Sequence, residues 1–170
     1  NTSPTTVFNG ASGTTYVLRW TITSGACPPS WDEVQIRLDQ NPTPATAGVD
    51  QNVCGTAATL AANTPLVGLG SWSVASGLGG SFVDDTNPTS VFNGVNGSSY
   101  VLRWEITNGL CTTFDEVTIN FNVTPTVANA GNDQDQCGLG DFNLNADPAI
   151  IGTGAWSIIG ANNGAFVTAP

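Results

Sequence analysis

Apolar and polar residues alternate with period two along the run YVLRWEIT from Tyr100 to Thr107. Tyr100, Leu102, Trp104 and Ile106 share one face, and Val101, Arg103, Glu105 and Thr107 share the other, so the arginine and glutamate stay in water. In VTINFNV, from Val117 to Val123, the odd positions are all apolar and the even ones all polar. This period predicts half-buried strands. Between the two runs, Asn108-Gly109 is a turn signal that opens a longer loop carrying Cys111. Shorter strands are predicted at Ala58–Ala62, Ser71–Val74, Ser81–Val83 and Val91–Phe92, each bounded by Gly, Pro, Asn or Asp. No helical stripe as long as three turns occurs.

The alternation is written twice. PTTVFNGASGTTYVLRWTITSGAC from Pro4 to Cys27 recurs 84 residues later as PTSVFNGVNGSSYVLRWEITNGLC from Pro88 to Cys111, and 17 of the 26 positions from Thr2 to Cys27 are identical. Trp31-Asp32-Glu33-Val34 returns as Phe114-Asp115-Glu116-Val117, with one residue lost. Ala47-Gly48, Asp50-Gln51 and Cys54-Gly55 return as Ala130-Gly131, Asp133-Gln134 and Cys137-Gly138. Gly70-Ser71-Trp72-Ser73 matches Gly154-Ala155-Trp156-Ser157, and Gly80–Val83 matches Gly164–Val167. The chain is about two periods of one unit, the signature of a repeat architecture.

Punctuation sets the phase. Asn41-Pro42-Thr43-Pro44 and Val123-Thr124-Pro125 follow strongly alternating runs and read as linkers. Residues 44–125 are then a complete unit, 1–43 the C-terminal half of a preceding unit, and 126–170 the N-terminal half of a following one. Both ends of the chain are expected to fall inside a unit.

Seven short strands in one unit, with turns every 8–12 residues, fit an immunoglobulin-like β-sandwich. The third strand carries Trp72 (Trp156 in the next unit), where such sandwiches hold a central tryptophan. Tyr100 and Tyr16 follow a glycine-rich turn at the start of the sixth strand, the position of a tyrosine corner. With AGVDQNVCGTAATLAAN, GSWS, NPTSVF, GSSYVLRWEITNG and DEVTINF in order, the chain resembles the PKD family of immunoglobulin-like domains. More closely, it resembles the PKD-like tandem repeats of giant secreted bacterial surface adhesins. The likeness covers all 170 residues. It departs from the family pattern after the tryptophan, where Ser73-Val74-Ala75-Ser76 stands in place of a WDFGDG-type motif. The resemblance implies an extracellular stalk or adhesive fibre rather than a catalyst.

Composition narrows the chemistry. There are 3 Lys plus Arg, all arginine, against 13 Asp plus Glu, a formal charge of −10, and no histidine. Three cations cannot neutralise a run of phosphates, so nucleic acid is excluded as a partner. Histidine bases, lysine Schiff bases, zinc–histidine sites and lysine isopeptide cross-links are unavailable. No stretch is apolar enough for a membrane span, and Asn1 opens within a repeat rather than on a leader. With 40% hydrophobic residues the chain can still build a core.

Each unit carries two cysteines, and the acidic, Asn/Thr/Ser-rich setting suggests an oxidising, extracellular compartment. Cys54 falls at the turn between strands one and two, Cys111 between strands six and seven. In an immunoglobulin topology these loops lie roughly 25 Å apart, a strand's length, whereas a disulfide needs Cα atoms within about 7 Å. Bonds between consecutive units are therefore attractive. Cys27–Cys54 with Cys111–Cys137, or Cys54–Cys111, are the rival pairings.

Asp84, Asp85, Asp115 and Glu116, with Asp32-Glu33, form paired acids, and calcium is the cofactor such oxygen donors would hold. No Asp-x-Asp-x-Asp-Gly loop accompanies them, so solvated edge charges that oppose edge-to-edge pairing are the preferred reading. Repetition of the pairs in both units argues for architecture rather than an active site, and no catalytic residue is assigned. Trp20 and Trp104 share faces with Tyr, Leu and Ile, which places them with Trp72, Trp156, Tyr16 and Tyr100 in the core rather than on a sugar-stacking surface. Trp31, beside a loop, is the aromatic open to solvent. Asn96-Gly97-Ser98 and Asn122-Val123-Thr124 match glycosylation sequons. The expected role is a structural segment of an extracellular filament or adhesin stalk whose partners are identical repeats or subunits along a fibre. The alternative is a module binding surface glycans.

Overall fold

The computed structural model describes residues 2–138, 140–160 and 164–166. Val167, paired above with Val83, lies outside them. Among the described residues the chain is all-β, with nine strands and no helix. It divides into two compact units, Asn1–Asn122 and Val123–Pro170.

The first unit contains two pieces of sheet. Strands β1 (Thr14–Ile22) and β2 (Ser30–Leu38) form an antiparallel pair with Leu18 opposite Val34 and Tyr16 opposite Ile36. The other seven are β3 (Gln51–Cys54), β4 (Ala57–Thr59), β5 (Leu69–Ser76), β6 (Ser81–Phe82), β7 (Val91–Asn93), β8 (Ser99–Asn108) and β9 (Cys111–Asn122). They build one sheet in the order β3-β9-β8-β5 and another in the order β4-β7-β6. The β3–β9 ladder is parallel and the others are antiparallel. Period-two alternation places Tyr100, Leu102, Trp104 and Ile106 of β8 and Val117, Ile119 and Phe121 of β9 on one face. All seven are at most 2% exposed.

That face meets Ala58 of β4 and Phe92 of β7, with Leu60 and Trp72, in one sandwich-like core. Aromatic edges and faces fill it: Phe92 and Tyr100 meet edge to face at 4.9 Å, and Trp72 and Trp104 lie 5.2 Å apart. Such pairs add about 0.5–1.5 kcal/mol each beyond the area they bury. Apart from β8–β9, every ladder of this repeat joins a strand from residues 51–82 to one from residues 91–122. Except for the β8–β9 hairpin, the ladders of this repeat need both halves.

The two hairpins differ. β8 and β9 are closed by the two residues Gly109 and Leu110, with Asn108 paired to Cys111 and Gly109 at φ 62°. The loop expected after Asn108 is therefore a tight turn, and Cys111 opens a strand. In the first copy the connection runs from Thr23 to Pro29 and holds Cys27. Pro28 and Pro29 lack the amide hydrogens that a ladder needs, which keeps that loop open.

The second unit, described by itself, has no strand among its described residues. It is shaped by turns: Thr126 Oγ1 accepts from the Ile150 and Ile151 amides at 3.1 and 2.9 Å, and Asn129 Nδ2 donates to Asp147 at 2.9 Å. The first unit has the same device at the matching place, where Thr43 Oγ1 accepts from Leu66 and Val67, both at 2.9 Å.

Candidate functional site: the open face and the junction

The repeat in the sequence is a repeat of side-chain geometry. Arg19 chelates Glu33 Oε1 through Nε and Nη2 at 2.9 and 2.7 Å, and Arg103 does the same to Glu116 at the same distances. The Arg19 guanidinium lies 4.2 Å from the Trp31 ring centroid, and Arg103 lies 4.2 Å from that of Phe114. Tyr16 Oη accepts from the Ala11 amide at 2.8 Å, and Tyr100 Oη from the Val95 amide at 2.9 Å. The hydrogen bond expected of a tyrosine corner is made in both copies. The outer faces of β1–β2 and β8–β9 are thus nearly the same object.

The inner faces are not. Trp72, Trp104 and Tyr100 are buried, as expected of core residues. Trp20 is instead 43% exposed and Trp156 45%, and Tyr16 is only partly buried. The reason is the division of labour between halves. In the complete repeat Trp104 is covered by residues 58–92, and Trp20 belongs to a half whose cover is not among residues 2–43. Ile22 and Val34, the counterparts of the fully buried Ile106 and Val117, are 61% and 57% exposed. Within the second unit a cleft of about 580 Å³ is lined by Thr126, Ala130, Ile151 and Trp156 among others. Trp156, the sequence counterpart of the buried Trp72, is thus part of a cleft wall. Trp20, Ile22, Val34 and Trp156 are apolar side chains open to solvent.

A second feature lies where β2 runs into the complete repeat. Asn108 Nδ2 donates to the Gln40 carbonyl at 2.8 Å, and the Leu110 amide donates to Asp39 Oδ2 at 3.0 Å. Arg37 Nε donates to the other oxygen of Asp39. The Arg37 hydrogen bond, then the Leu110 amide, hold the Asp39 carboxyl below its ordinary value, and the same contact raises Arg37. Residues 41–44, expected as a linker, are fastened down: Pro42 is buried, the Thr43 amide donates to the Val67 carbonyl at 3.0 Å, and Thr113 Oγ1 donates to the Thr43 carbonyl at 3.0 Å. A shallow cleft of about 440 Å³ at this junction is lined by Gly10, Ser12, Arg37, Asp39, Leu110 and Cys111. Sequence reasoning passed over Arg37 and Asp39. Their counterparts are Asn120 and Asn122, and that departure from the repeat was the available signal.

The disulfides expected from composition are not formed: Cys27, Cys54, Cys111 and Cys137 are all free. Register gives the reason for Cys54 and Cys111. Cys54 is paired with Asn122 at the end of β9, and Cys111 is the first residue of that strand, so the whole strand separates them. The paired acids are scattered and engaged. Asp115 Oδ2 accepts from the Ala47 amide at 2.8 Å, Glu116 is held by Arg103, and Asp84 Oδ1 accepts from the Thr86 hydroxyl and amide at 2.7 and 2.9 Å. The Thr86 contacts hold Asp84 below its ordinary value. Asp85 gives its main-chain carbonyl to the Trp72 amide at 2.7 Å. Among the described residues no three His, Cys, Asp or Glu side chains are grouped as a metal would require. Trp31 is 56% exposed, with Arg19 on its ring.

No family model matches the chain, and no curated protein matches it.

Proposed function

We propose that this chain is a non-enzymatic building segment of an extracellular bacterial filament or adhesin stalk, made of tandem immunoglobulin-like, PKD-like repeats that stack head to tail or polymerise. The observation that carries the reading is the duplicated strand pair: the same ion pair, the same cation–aromatic contact and the same tyrosine hydrogen bond recur at matching positions. A catalytic site is not built twice in register; a fibre repeat is. The fastened junction at Asp39 and Leu110 supports the same reading, because it ties one repeat to the next through main-chain and side-chain hydrogen bonds instead of a loose tether. A quasi-one-dimensional array draws its stability from such neighbour contacts. Its net charge of −10 keeps parallel fibres apart.

Electron microscopy of the purified chain at physiological ionic strength tests the proposal. Beaded rods or filaments are the expected result, and isolated compact particles at every concentration would end it. Glycan binding through Trp31 is the weaker alternative, since the Arg19 guanidinium lies over the ring a sugar would stack on. A glycan array probed with the same chain decides between the two.

A further inference from the structure

We propose that Asn108 is a site of spontaneous deamidation that its contacts with residues 39 and 40 hold shut. Its conversion would record, and then fix, an opening of that junction. The inference stands on residues 37–40 and 108–111, whatever the chain builds.

An asparagine followed by glycine is the pair most prone to this reaction, because glycine has no side chain to hinder the approach of its nitrogen. The glycine amide loses its proton, and its nitrogen attacks the side-chain carbonyl carbon of the asparagine. A five-membered succinimide forms, and the carboxamide nitrogen leaves with a proton as ammonia. One water then opens the ring, at one carbonyl to give aspartate or at the other to give isoaspartate, whose main chain is longer by one methylene. Water is the only reagent consumed.

Four Asn-Gly pairs lie among the described residues, at Asn9, Asn93, Asn96 and Asn108, and their surroundings differ. Asn96 is exposed in a turn that the Ser98 amide closes on the Val95 carbonyl at 3.1 Å. Among the described residues no hydrogen bond holds its carboxamide or the Gly97 amide. Asn93 is guarded at the nucleophile, since the Gly94 amide donates to the Thr56 carbonyl at 2.8 Å. Asn108 is guarded at the carboxamide, whose Nδ2 donates to the Gln40 carbonyl at 2.8 Å instead of being free to turn onto Gly109. Gly109 lies against the Asp39 carboxylate and Arg37, so close that a Cβ built on it would overlap both. Ring closure at Asn108 therefore waits for the Gln40 and Asp39 contacts to part. The counterpart of Asn108 in the first copy is Ser24, which has no carboxamide to lose.

Conversion runs one way. The donor to Gln40 becomes a carboxylate, which only accepts. It faces the Gln40 carbonyl beside the Asp39 carboxylate, and the two like charges repel. The extra methylene of isoaspartate lengthens a turn that closes with Asn108 paired to Cys111. Either product keeps the junction open.

Peptide mapping by mass spectrometry tests this on the full chain, held folded or in denaturant in mildly alkaline buffer, by following the amide-to-acid conversion at each asparagine. Asn96 should convert at the same rate folded and denatured, whereas Asn108 should be about tenfold slower folded, the closing factor of one hydrogen bond of ordinary strength. Asp39→Asn removes the charge that receives the Leu110 amide, and should speed Asn108 in the folded chain while Asn93 and Asn96 keep their rates. A general loosening of the fold would speed Asn93 as well. Asn108→Asp, the aspartate product made directly, should raise hydrogen exchange at the Leu110 amide by about tenfold and leave exchange within the β8–β9 ladder unaltered. The proposal is overturned by an Asn108 that converts as fast folded as denatured, by an Asp39→Asn chain in which Asn108 is not speeded or Asn93 speeds in step with it, or by unchanged Leu110 protection in Asn108→Asp.

Discussion

Gly70 lies flat against the Trp104 indole, so close that a Cβ built on the glycine would overlap the ring. Trp104 is fully buried and packed by Trp72, so it has no free space to retreat into. Gly70→Ala should therefore destabilise the complete repeat by about 1–3 kcal/mol, the usual range for overpacking, read as a lower urea midpoint at unchanged slope. Its counterpart Gly154 has nothing within 4 Å of the same built atom. Gly154→Ala should therefore leave unfolding of the chain unchanged. Equal destabilisation by both substitutions would contradict the idea that the space beside Gly70 is filled and that beside Gly154 open.

Tyr100 and Tyr16 form the same corner in different surroundings. Tyr100 Oη accepts from Val95 and donates to the Leu78 carbonyl at 2.8 Å, and the residue is 1% exposed. Tyr100→Phe strands a part-buried amide and a carbonyl, which costs about 1–3 kcal/mol. The Tyr16 hydroxyl makes its bond to Ala11 in an exposed setting, where water replaces the lost partner. Tyr16→Phe should cost about 0.5 kcal/mol. Chemical denaturation of the two variants side by side measures the difference.

These contrasts show what the sequence made legible. Alternation placed β8 and the second half of β9, from Val117, because a half-buried strand imposes period two on its residues, and the repeat supplied a second reading of the same signal. Tyr100, Trp72 and Trp104 were found as core residues because their covering half lies in the same repeat. Trp20 and Trp156 carry the same local pattern but lack that cover, and periodicity reports which face is apolar without reporting whether anything lies upon it. The turn at Gly109 was seen but its tightness was not, because β9 starts at Cys111, a residue with no alternation signal of its own. The parallel pairing of β3 with β9 and the hold of Asp39 on Leu110 are long-range facts. They depend on where the chain returns, which local spacing does not encode.

The junction should respond to acid. Asp39 is held below the ordinary carboxylate range, first by its hydrogen bond from Arg37 and then by the Leu110 amide. A carboxylate whose folded pKa is lowered contributes stability in full above its unfolded pKa and loses it as pH falls through the folded value. Protection of the Leu110 amide against hydrogen exchange should hold at neutral pH and fall away only below about pH 4. Asp39→Asn should lower that protection at every pH and remove the acid step. An unaltered acid step in that variant would assign the transition to another carboxylate, with Asp84, depressed by its Thr86 contacts, the first to examine.

Calcium separates a metal-stapled stalk from one held by the protein alone. A site needs several free oxygen donors converging on one point, whereas here the acids are spent singly. Asp115 receives the Ala47 amide, Glu116 the Arg103 guanidinium, and Asp84 the Thr86 amide and hydroxyl. Asp84 and Asp85 follow β6, whereas Asp115 and Glu116 lie on β9. Binding to the folded state alone would raise the melting temperature in proportion to the logarithm of calcium concentration above its dissociation constant. The melting temperature should instead be the same in millimolar calcium and in excess chelator. A rise with calcium that Asp84→Asn abolishes would restore the metal to the stalk and require the Thr86 contacts to open when the ion enters.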